Sequence, residues 1–393
     1  MNTYRYTVDI EPFTIAVPDE VLVDLRDRIR RTRWPAAAPG AAWSQGTDVD
    51  CLREVLAYWA EDFDWRARER ALNRFHHFRA RIEDVDVHFV HHRAASGTGI
   101  PLVLTHGWPS TFAELLPLVP LLTDPAAHGI DGPAFDVVIP SLPGYGFSSR
   151  PPRAVTMRDT AALWHRLMRG LGYRRYGAQG GDFGSGVGTF LGLDEPESLI
   201  GLHLNNIELD PYLGAGTPPL TEAERYFVER EREFAEREGG YHVVQSTAPQ
   251  TLGYALNDSP AGLAAWLLEK WRSWSDSGGD LESRFSRDFL LTTVTLFWAT
   301  ATITESIRDF YDNRDGHTAL AVTDRVRVPT AVGLFGNEFA HGGAPPRSWA
   351  ERLYDLRRWT VMPSGGHFAA AEEPWLLARD IAAFFADPEA GPG

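Results

Sequence analysis

The pentapeptide GGDFG at residues 180–184 decides the fold of this chain. A short run of apolar or small residues, YGA at 176–178, precedes it, and a glycine-rich segment compatible with a helix follows from 185 to 193. This order predicts a strand, a very tight turn and then a helix. The central residue of such a turn needs small neighbours two positions away on each side, because the strained backbone leaves no room for side chains. The pattern therefore predicts a nucleophile at the end of a strand.

Asp182 occupies the position that a serine holds in most hydrolases built around this turn. A carboxylate attacks a saturated carbon and forms an ester, so Asp182 favours strained ethers or alkyl halides as substrates over esters and peptides. Two other interpretations of the same turn remain open. Asp182 could serve only as a helix N-cap. A dinucleotide site is disfavoured, because glycines 184, 186 and 188 do not have the G-x-G-x-x-G spacing.

A nucleophilic aspartate needs a base for the later attack by water and an acid that orients the base, and both follow it along the chain. The apolar run Val328–Phe335 predicts a strand, and Glu338 follows it on the face of the sheet where catalytic groups lie. Glu338 is therefore the predicted acid. Asp324, which precedes its strand, and Asp355, which falls in a helix predicted over residues 348–356, are weaker rivals.

His367 is the predicted base. It lies in the segment GGHF at 365–368, directly after a strand predicted over residues 358–362. A histidine on a glycine-flanked loop beyond a core strand is poorly placed to be a packed core residue, so we expect it to act on the ester formed at Asp182.

An oxyanion hole is predicted on the opposite side of the nucleophile. The strand at 102–104 ends in THGWP at 105–109, and a turn of this type supplies one backbone N–H to the oxyanion. We expect the two amides to be those of Trp108 and Phe183, with both rings lining the pocket. His106 is interpreted as a hydrogen-bonded loop histidine.

With these residues identified, the chain resembles epoxide hydrolases of the α/β-hydrolase superfamily, of the microsomal type. The resemblance covers nearly the whole chain and rests on four motifs in addition to the central turn. They are HGWP at 106–109, PGYGFS at 143–148, ALNDSPAGLAAW at 255–266, and GGHFAA at 365–370 followed by EEP. It implies an α/β-hydrolase fold with a mostly parallel central sheet, helices on both faces, an α-helical lid and an N-terminal extension that wraps the core and braces the lid.

The resemblance also assigns two tyrosines that sequence reasoning alone does not select. In this family two lid tyrosines donate hydrogen bonds to the epoxide oxygen, and the matching residues are Tyr241 and Tyr311. Without the resemblance, Tyr226 and Tyr254 rank equally with them. A phenol in this role is chemically reasonable, because the alkoxide formed on ring opening is a poor leaving group unless it is protonated.

Three alternative functions differ in chemistry. A haloalkane dehalogenase shares the aspartate but needs N–H donors for the halide, one from a tryptophan directly after the nucleophile, and Phe183 has none. A non-catalytic ligand-binding protein on the same scaffold would be expected to lose Asp182, Glu338 or His367, and all three are present. A biosynthetic enzyme with one large substrate is suggested by resemblance to enzymes of actinomycete natural-product pathways, including those for enediynes.

The net charge of −15 disfavours nucleic acid and anionic membrane surfaces as partners. Cys51 is the only cysteine, so no disulfide framework and no cysteine-based metal site is expected. The histidines at 76, 77, 88, 91 and 92 lack carboxylates at ligand spacing, so a metal is disfavoured there.

No run of apolar residues approaches the length of a membrane-spanning helix. We expect a cytoplasmic, cofactor-independent enzyme whose partners are an epoxide and water, with homo-oligomerisation left open.

We predict four parts along the chain. Residues 1–94 form the N-terminal extension, with amphipathic helices over 18–31 and 48–60. Residues 95–207 form the first half of the core, with strands near 101–105, 135–140, 174–178 and 200–205. Residues 208–320 form the helical lid, including a charged helix over 221–237 and a tryptophan-rich helix over 260–274. Residues 321–393 complete the core and end in a disordered tail.

Overall fold

The computed structural model describes residues 8–314, 319–337 and 344–386. Within these residues one nine-stranded sheet forms the centre of the molecule. Its strands are β1 Asp9–Phe13, β2 His77–Ile82, β3 Val85–His92, β4 Ile100–Thr105, β5 Phe135–Pro140, β6 Tyr176–Gly180, β7 Leu199–Leu204, β8 Val326–Asn337 and β9 Tyr354–Gly366. The strand order is β1-β2-β3-β5-β4-β6-β7-β8-β9.

The sheet is mostly parallel, as predicted. The pairs β5–β4, β4–β6, β6–β7, β7–β8 and β8–β9 are parallel, whereas β1, β2 and β3 add an antiparallel edge. Every residue of β5, β6 and β7 is buried. Strands covered by helices on both faces are apolar throughout rather than alternating. The carboxyl ends of the parallel strands meet at one edge, and the predicted nucleophile follows β6 there.

Ten helices of the described residues lie before β7 or after β8. Those before β7 are α1 Asp19–Arg30, α2 Val49–Glu61, α3 Trp65–Leu72, α4 Phe112–Leu115, α5 Leu118–Thr123, α6 Met157–Gly170 and α7 Phe183–Asp194. Those after β8 are α14 Arg347–Glu351, α15 Ala369–Glu372 and α16 Pro374–Phe385. Short 3₁₀ turns occupy Pro125–His128 and Leu281–Ser283.

Six further helices lie between β7 and β8, where the lid is predicted. They are α8 Glu222–Glu238, α9 Gly240–Thr247, α10 Pro249–Asp258, α11 Pro260–Trp274, α12 Arg287–Thr300 and α13 Ile303–Asp312. A capping box begins α8: the Thr221 hydroxyl accepts from the Glu224 amide and the Glu224 side chain accepts from the Thr221 amide. This reciprocal pair explains why the charged segment begins its helix there.

One predicted element is wrong in type. The segment 348–356 is helical only as far as Glu351, and β9 begins at Tyr354. Tyr354 is fully buried and pairs with Val326 of β8, so pairing within the sheet overrides the local helical pattern. Asp355 is consequently a strand residue, not a helical one. The predicted C-terminal tail lies outside the described residues.

The extension contacts the lid through side chains of α1 and α2. The buried Trp59 indole N–H donates to the Thr295 hydroxyl at 2.9 Å, and the Tyr58 hydroxyl donates to Asp288 at 2.8 Å. Arg28 pairs with Asp258 at 2.6 Å. These contacts join helices of the predicted extension to helices of the predicted lid. The boundaries at residues 94, 207 and 320 remain predictions.

In the described ranges, no single helix has both the length and the apolar character needed to cross a membrane. The pair α12 and α13 meets both conditions together, but the two helices are bent by 90° at their junction.

Candidate active site

Asp182 lies on a strained turn between β6 and α7. Its backbone has φ 53° and ψ −133°, a conformation that non-glycine residues rarely adopt. The flanking glycines are required by close approach: a Cβ on Gly180 would lie 2.4 Å from the backbone of Gly184, and one on Gly184 would lie 2.1 Å from the Thr105 carbonyl oxygen. The small neighbours of Asp182 therefore allow this turn to form.

The two carboxylate oxygens of Asp182 have different partners. Oδ1 accepts from the Trp108 amide at 2.9 Å and from the Phe183 amide at 2.7 Å. Oδ2 lies 3.4 Å from Nε2 of His367. The structure thus brings together four predicted site residues. One carboxylate oxygen accepts from two N–H donors, and the other faces the predicted base.

His367 follows β9, and its surroundings fix its orientation. Its backbone amide donates to the Trp274 carbonyl at 2.9 Å, and its ring packs edge-on against Trp274 and Phe368. A Cβ on Gly366 would lie 2.7 Å from that same Trp274 carbonyl oxygen. The glycine before His367 therefore lets the loop pass against α11, and the residue is only 6 % exposed.

Glu338, the predicted acid, lies outside the described residues. The residue before it, Asn337, ends β8 and pairs with Gly366 of β9. The two rivals lie elsewhere, since Asp324 precedes β8 and Asp355 is the second residue of β9. Both are at the amino ends of parallel strands, at the edge of the sheet opposite Asp182.

An aromatic pocket adjoins the predicted nucleophile. Tyr241, at the start of α9, stacks on Trp108 with ring centroids 5.7 Å apart and planes 4° apart. Phe310 of α13 packs edge-on against Trp108 at 5.4 Å and against Phe183 at 5.0 Å. Burial, and then the charge of Asp182, raise the pKa of Tyr241 well above its ordinary value. Its phenol is therefore a protonated donor at neutral pH.

Tyr311 is not among the residues that the structure brings together. Its side chain is 40 % exposed, its ring lies 3.2 Å from the Arg314 guanidinium carbon, and it borders a surface cleft with Arg308. The preceding residue, Phe310, faces the pocket instead. One step along a helix turns a side chain by about 100°. The resemblance predicts Tyr311 in the pocket, whereas the structure places its side chain at the surface.

Sequence reasoning missed several residues of the site. Lys270, the only lysine of the chain, is buried with its Nζ 4.7 Å from the centroid of the Tyr241 ring. A single lysine in an arginine-rich chain was an available signal. Glu114 and Gln179 border the same small cavity as Asp182 and His367. Neither residue carries a motif that would have separated it from a packed core side chain.

Two of the histidines considered for a metal are hydrogen-bonded to each other. Nδ1 of His77 lies 3.0 Å from Nε2 of His88, and Nδ1 of His88 lies 2.9 Å from the Ser141 hydroxyl. In the part of the chain that the structure describes, no three His, Cys, Asp or Glu side chains are grouped as metal ligands. His106 bonds to the Gly107 carbonyl of its own loop and accepts a hydrogen bond from the amide of Leu142, which follows β5.

The fold and the geometry around Asp182 place this chain in a class of proteins that have an α/β-hydrolase fold and an aspartate at the usual position of the nucleophile. A family model described as alpha/beta hydrolase fold matches residues 100–235, and one described as epoxide hydrolase N terminus matches residues 10–115. Epoxide hydrolase 1 of Sus scrofa is 38 % identical over 408 residues, covering 95 % of this chain and 88 % of that protein.

Two solved structures of epoxide hydrolases are similar to this chain over nearly its whole length. The juvenile hormone epoxide hydrolase of the silkworm Bombyx mori superposes with a TM-score of 0.87 at 30 % identity, covering 96 % of this chain and 94 % of that one. The Aspergillus niger epoxide hydrolase gives a TM-score of 0.83 at 30 % identity, covering 96 % of both chains. This chain belongs to the epoxide hydrolase family.

Proposed function

We propose that this enzyme converts an epoxide to a vicinal diol through an ester on Asp182. The proposal is supported above all by the different hydrogen-bonding partners of the two carboxylate oxygens of Asp182. Oδ1 lies between two amide donors, where the negative charge of a tetrahedral intermediate would develop, and Oδ2 is directed toward the base.

The first step forms the ester. Oδ2 of Asp182 attacks an epoxide carbon, the carbon–oxygen bond of the ring breaks, and the phenol of Tyr241 donates its proton to the departing oxygen. The raised pKa of Tyr241 keeps that proton in place until the alkoxide forms. The aromatic rings around the site exclude water from the reacting carbon.

The second step hydrolyses the ester. His367 takes a proton from water, and the resulting hydroxide attacks the carboxyl carbon of Asp182. The bond from that carbon to Oδ2 then breaks, and the diol leaves with Oδ2 and the proton from His367. The new carboxyl group returns a proton to Tyr241, so the net reaction is epoxide plus water to diol. We propose that Glu338 orients His367, as the pairing of Asn337 with Gly366 supports.

A single turnover in oxygen-18 water tests the route. With racemic styrene oxide at a concentration below that of the enzyme, the first diol should carry unlabelled oxygen from Asp182, and the label should appear in the peptide that contains Asp182. Labelled diol in the first turnover would mean direct attack by water and would remove Asp182 from the role of nucleophile.

Two variants separate the steps. Asp182→Asn should abolish turnover in a preparation checked for deamidation. His367→Gln should still form the ester and accumulate it, because alkylation does not need the base. Intact-protein mass spectrometry detects the adduct, and its absence in His367→Gln would contradict the two-step scheme.

The size of the cavity beside Tyr241 bears on the size of the substrate. A cavity of about 270 Å³ adjoins Tyr241, bordered by α8 and by residues that follow β7. This volume lies just below the usual range for drug-sized ligands, which favours a compact epoxide. The resemblance to natural-product enzymes supports a competing proposal, a biosynthetic role with one large substrate. A higher kcat/KM for a large polycyclic epoxide than for styrene oxide would support that role, and the reverse order would contradict it.

A further inference from the structure

A small cavity lies beside Asp182 and His367, and Tyr241 does not border it. Its volume is about 20 Å³, and its polar lining includes Glu114, Gln179 and Asn205. A space of this size holds one water molecule when two to four polar groups surround it. The cavity therefore matches the size and polarity of a single water site next to the two residues that act on the ester.

Gln179 leaves one hydrogen-bonding group unsatisfied at this place. Its side chain is 2 % exposed, and its Nε2 donates to Oδ1 of Asn205 at 2.7 Å. Its Oε1 is buried and has no hydrogen-bond partner among the described residues. A buried amide oxygen without a partner costs free energy, so such atoms are normally satisfied by protein or by ordered water.

Glu114 is a buried carboxyl group that the mechanism above does not use. It lies on α4, directly beyond the turn that supplies the Trp108 amide, and is 8 % exposed. Burial raises its pKa to about 7, while the nearby Ser110 hydroxyl and His367 lower it and Asp182 and Glu372 raise it. A carboxyl group buried beside two catalytic residues interacts with them electrostatically and can hydrogen-bond water as donor or acceptor.

We propose that this cavity holds the water molecule that His367 deprotonates, and that Glu114 and Gln179 are its positioning residues. Oε1 of Gln179 accepts one hydrogen bond from the water, and the carboxyl group of Glu114 makes a second. The water then lies between the base and the carboxyl carbon of Asp182. This inference rests on the proposed ester mechanism, since the water is needed only in its second step.

The test measures the two half-reactions separately. Rapid-quench mass spectrometry with styrene oxide gives the rate of ester formation and the rate of ester loss for Glu114→Gln and Gln179→Met. Ester formation should stay within about twofold of the parent protein. Ester loss should slow about tenfold, which corresponds to one lost hydrogen bond of about 1.4 kcal/mol, so the ester should accumulate during turnover.

The control is Asp136→Asn. Asp136 is also a buried carboxyl group, but it accepts from the Ala94 amide and the Tyr173 hydroxyl rather than bordering the cavity. This variant should leave the ratio of the two rates unchanged, even if it lowers the melting temperature. The ratio is the decisive quantity because a general loss of structure slows both half-reactions together.

Two results would overturn the inference: unchanged ester loss in Glu114→Gln, or a parallel fall of both half-reactions. If Glu114→Gln does not fold, Gln179→Met decides by the same criteria. Failure of the inference is distinguishable from failure of the ester mechanism. In the first case His367→Gln still accumulates the ester, whereas in the second no variant forms one.

Discussion

At the residue scale, two consecutive positions in α13 have opposite environments. Phe310 is buried against Trp108 and Phe183, whereas Tyr311 lies at the surface against Arg314. Tyr241 is therefore the phenol that the structure places beside the predicted nucleophile, Asp182. Its proton should be the one that determines how fast the ring opens.

The comparison of Tyr241→Phe with Tyr311→Phe tests this arrangement. Tyr241→Phe should slow ester formation about 100-fold or more, because it removes the acid that protonates the alkoxide. Tyr311→Phe should change the rate by about twofold at most, as for a surface substitution. Single-turnover ester formation with styrene oxide measures both. Equal losses in the two variants would show that α13 turns Tyr311 into the pocket during catalysis.

At the element scale, one buried arginine binds α13 through ion pairs and a hydrogen bond. Arg150 donates to Asp309 at 2.7 Å, to Asp312 at 2.6 Å and to the Glu305 carbonyl at 2.8 Å. Arg150 has only 5 % of its side chain exposed. Because α13 carries Phe310 into the pocket, this ion-pair network sets both the stability of the lid and the shape of the site.

Arg150→Met should lower the free energy of unfolding by about 3–5 kcal/mol, because it leaves two carboxylates buried without their cation. Urea unfolding measures this loss. The matched control is Arg153→Met, since Arg153 pairs with Asp84 at the exposed surface and should contribute about 0–1 kcal/mol. A similar loss of unfolding free energy in both variants would mean that the buried ion pairs of Arg150 do not stabilise α13 more than a surface ion pair does.

At the scale of the whole molecule, a buried histidine pair joins the extension to the core. His77 of β2 bonds to His88 of β3, and His88 bonds to Ser141, which follows β5. Burial is the largest cause that lowers the pKa of His77 and places that of His88 well below its ordinary value. The pair is therefore neutral in the folded protein at neutral pH.

This pair should give the stability a defined pH dependence. As the pH falls through about 6.5, unfolded His88 takes up a proton that the folded protein does not bind, so the parent protein loses stability. His88→Gln removes that uptake. The stability difference between parent and variant should therefore shrink by about 1.4 kcal/mol per pH unit below 6.5 and stay constant above it.

Urea unfolding at several pH values measures the difference. The control is His128→Gln, a substitution at an exposed histidine outside this pair. A constant difference for His88→Gln across pH 5–8 would mean that the histidine pair is not held neutral by burial.

The sequence by itself determined the strand, turn and helix around Asp182, the two backbone amides that donate to its carboxylate and the loop that carries His367. These features follow from local sterics and from strand direction: only glycine fits beside the strained turn, and loops that follow parallel strands meet at one edge of the sheet. The family resemblance added Tyr241, which composition and spacing could not distinguish from other tyrosines.

Only the tertiary structure decided which face of α13 meets the pocket, that residues 354–356 belong to a strand, and that Glu114, Gln179 and Lys270 surround the reacting groups. Each of these depends on burial against residues distant in sequence. A helical segment with apolar residues on one face does not reveal which neighbour it packs against, and an isolated glutamate or glutamine is indistinguishable from a surface residue until the chain closes around it. Packing, not local pattern, therefore placed the groups around the predicted nucleophile and base.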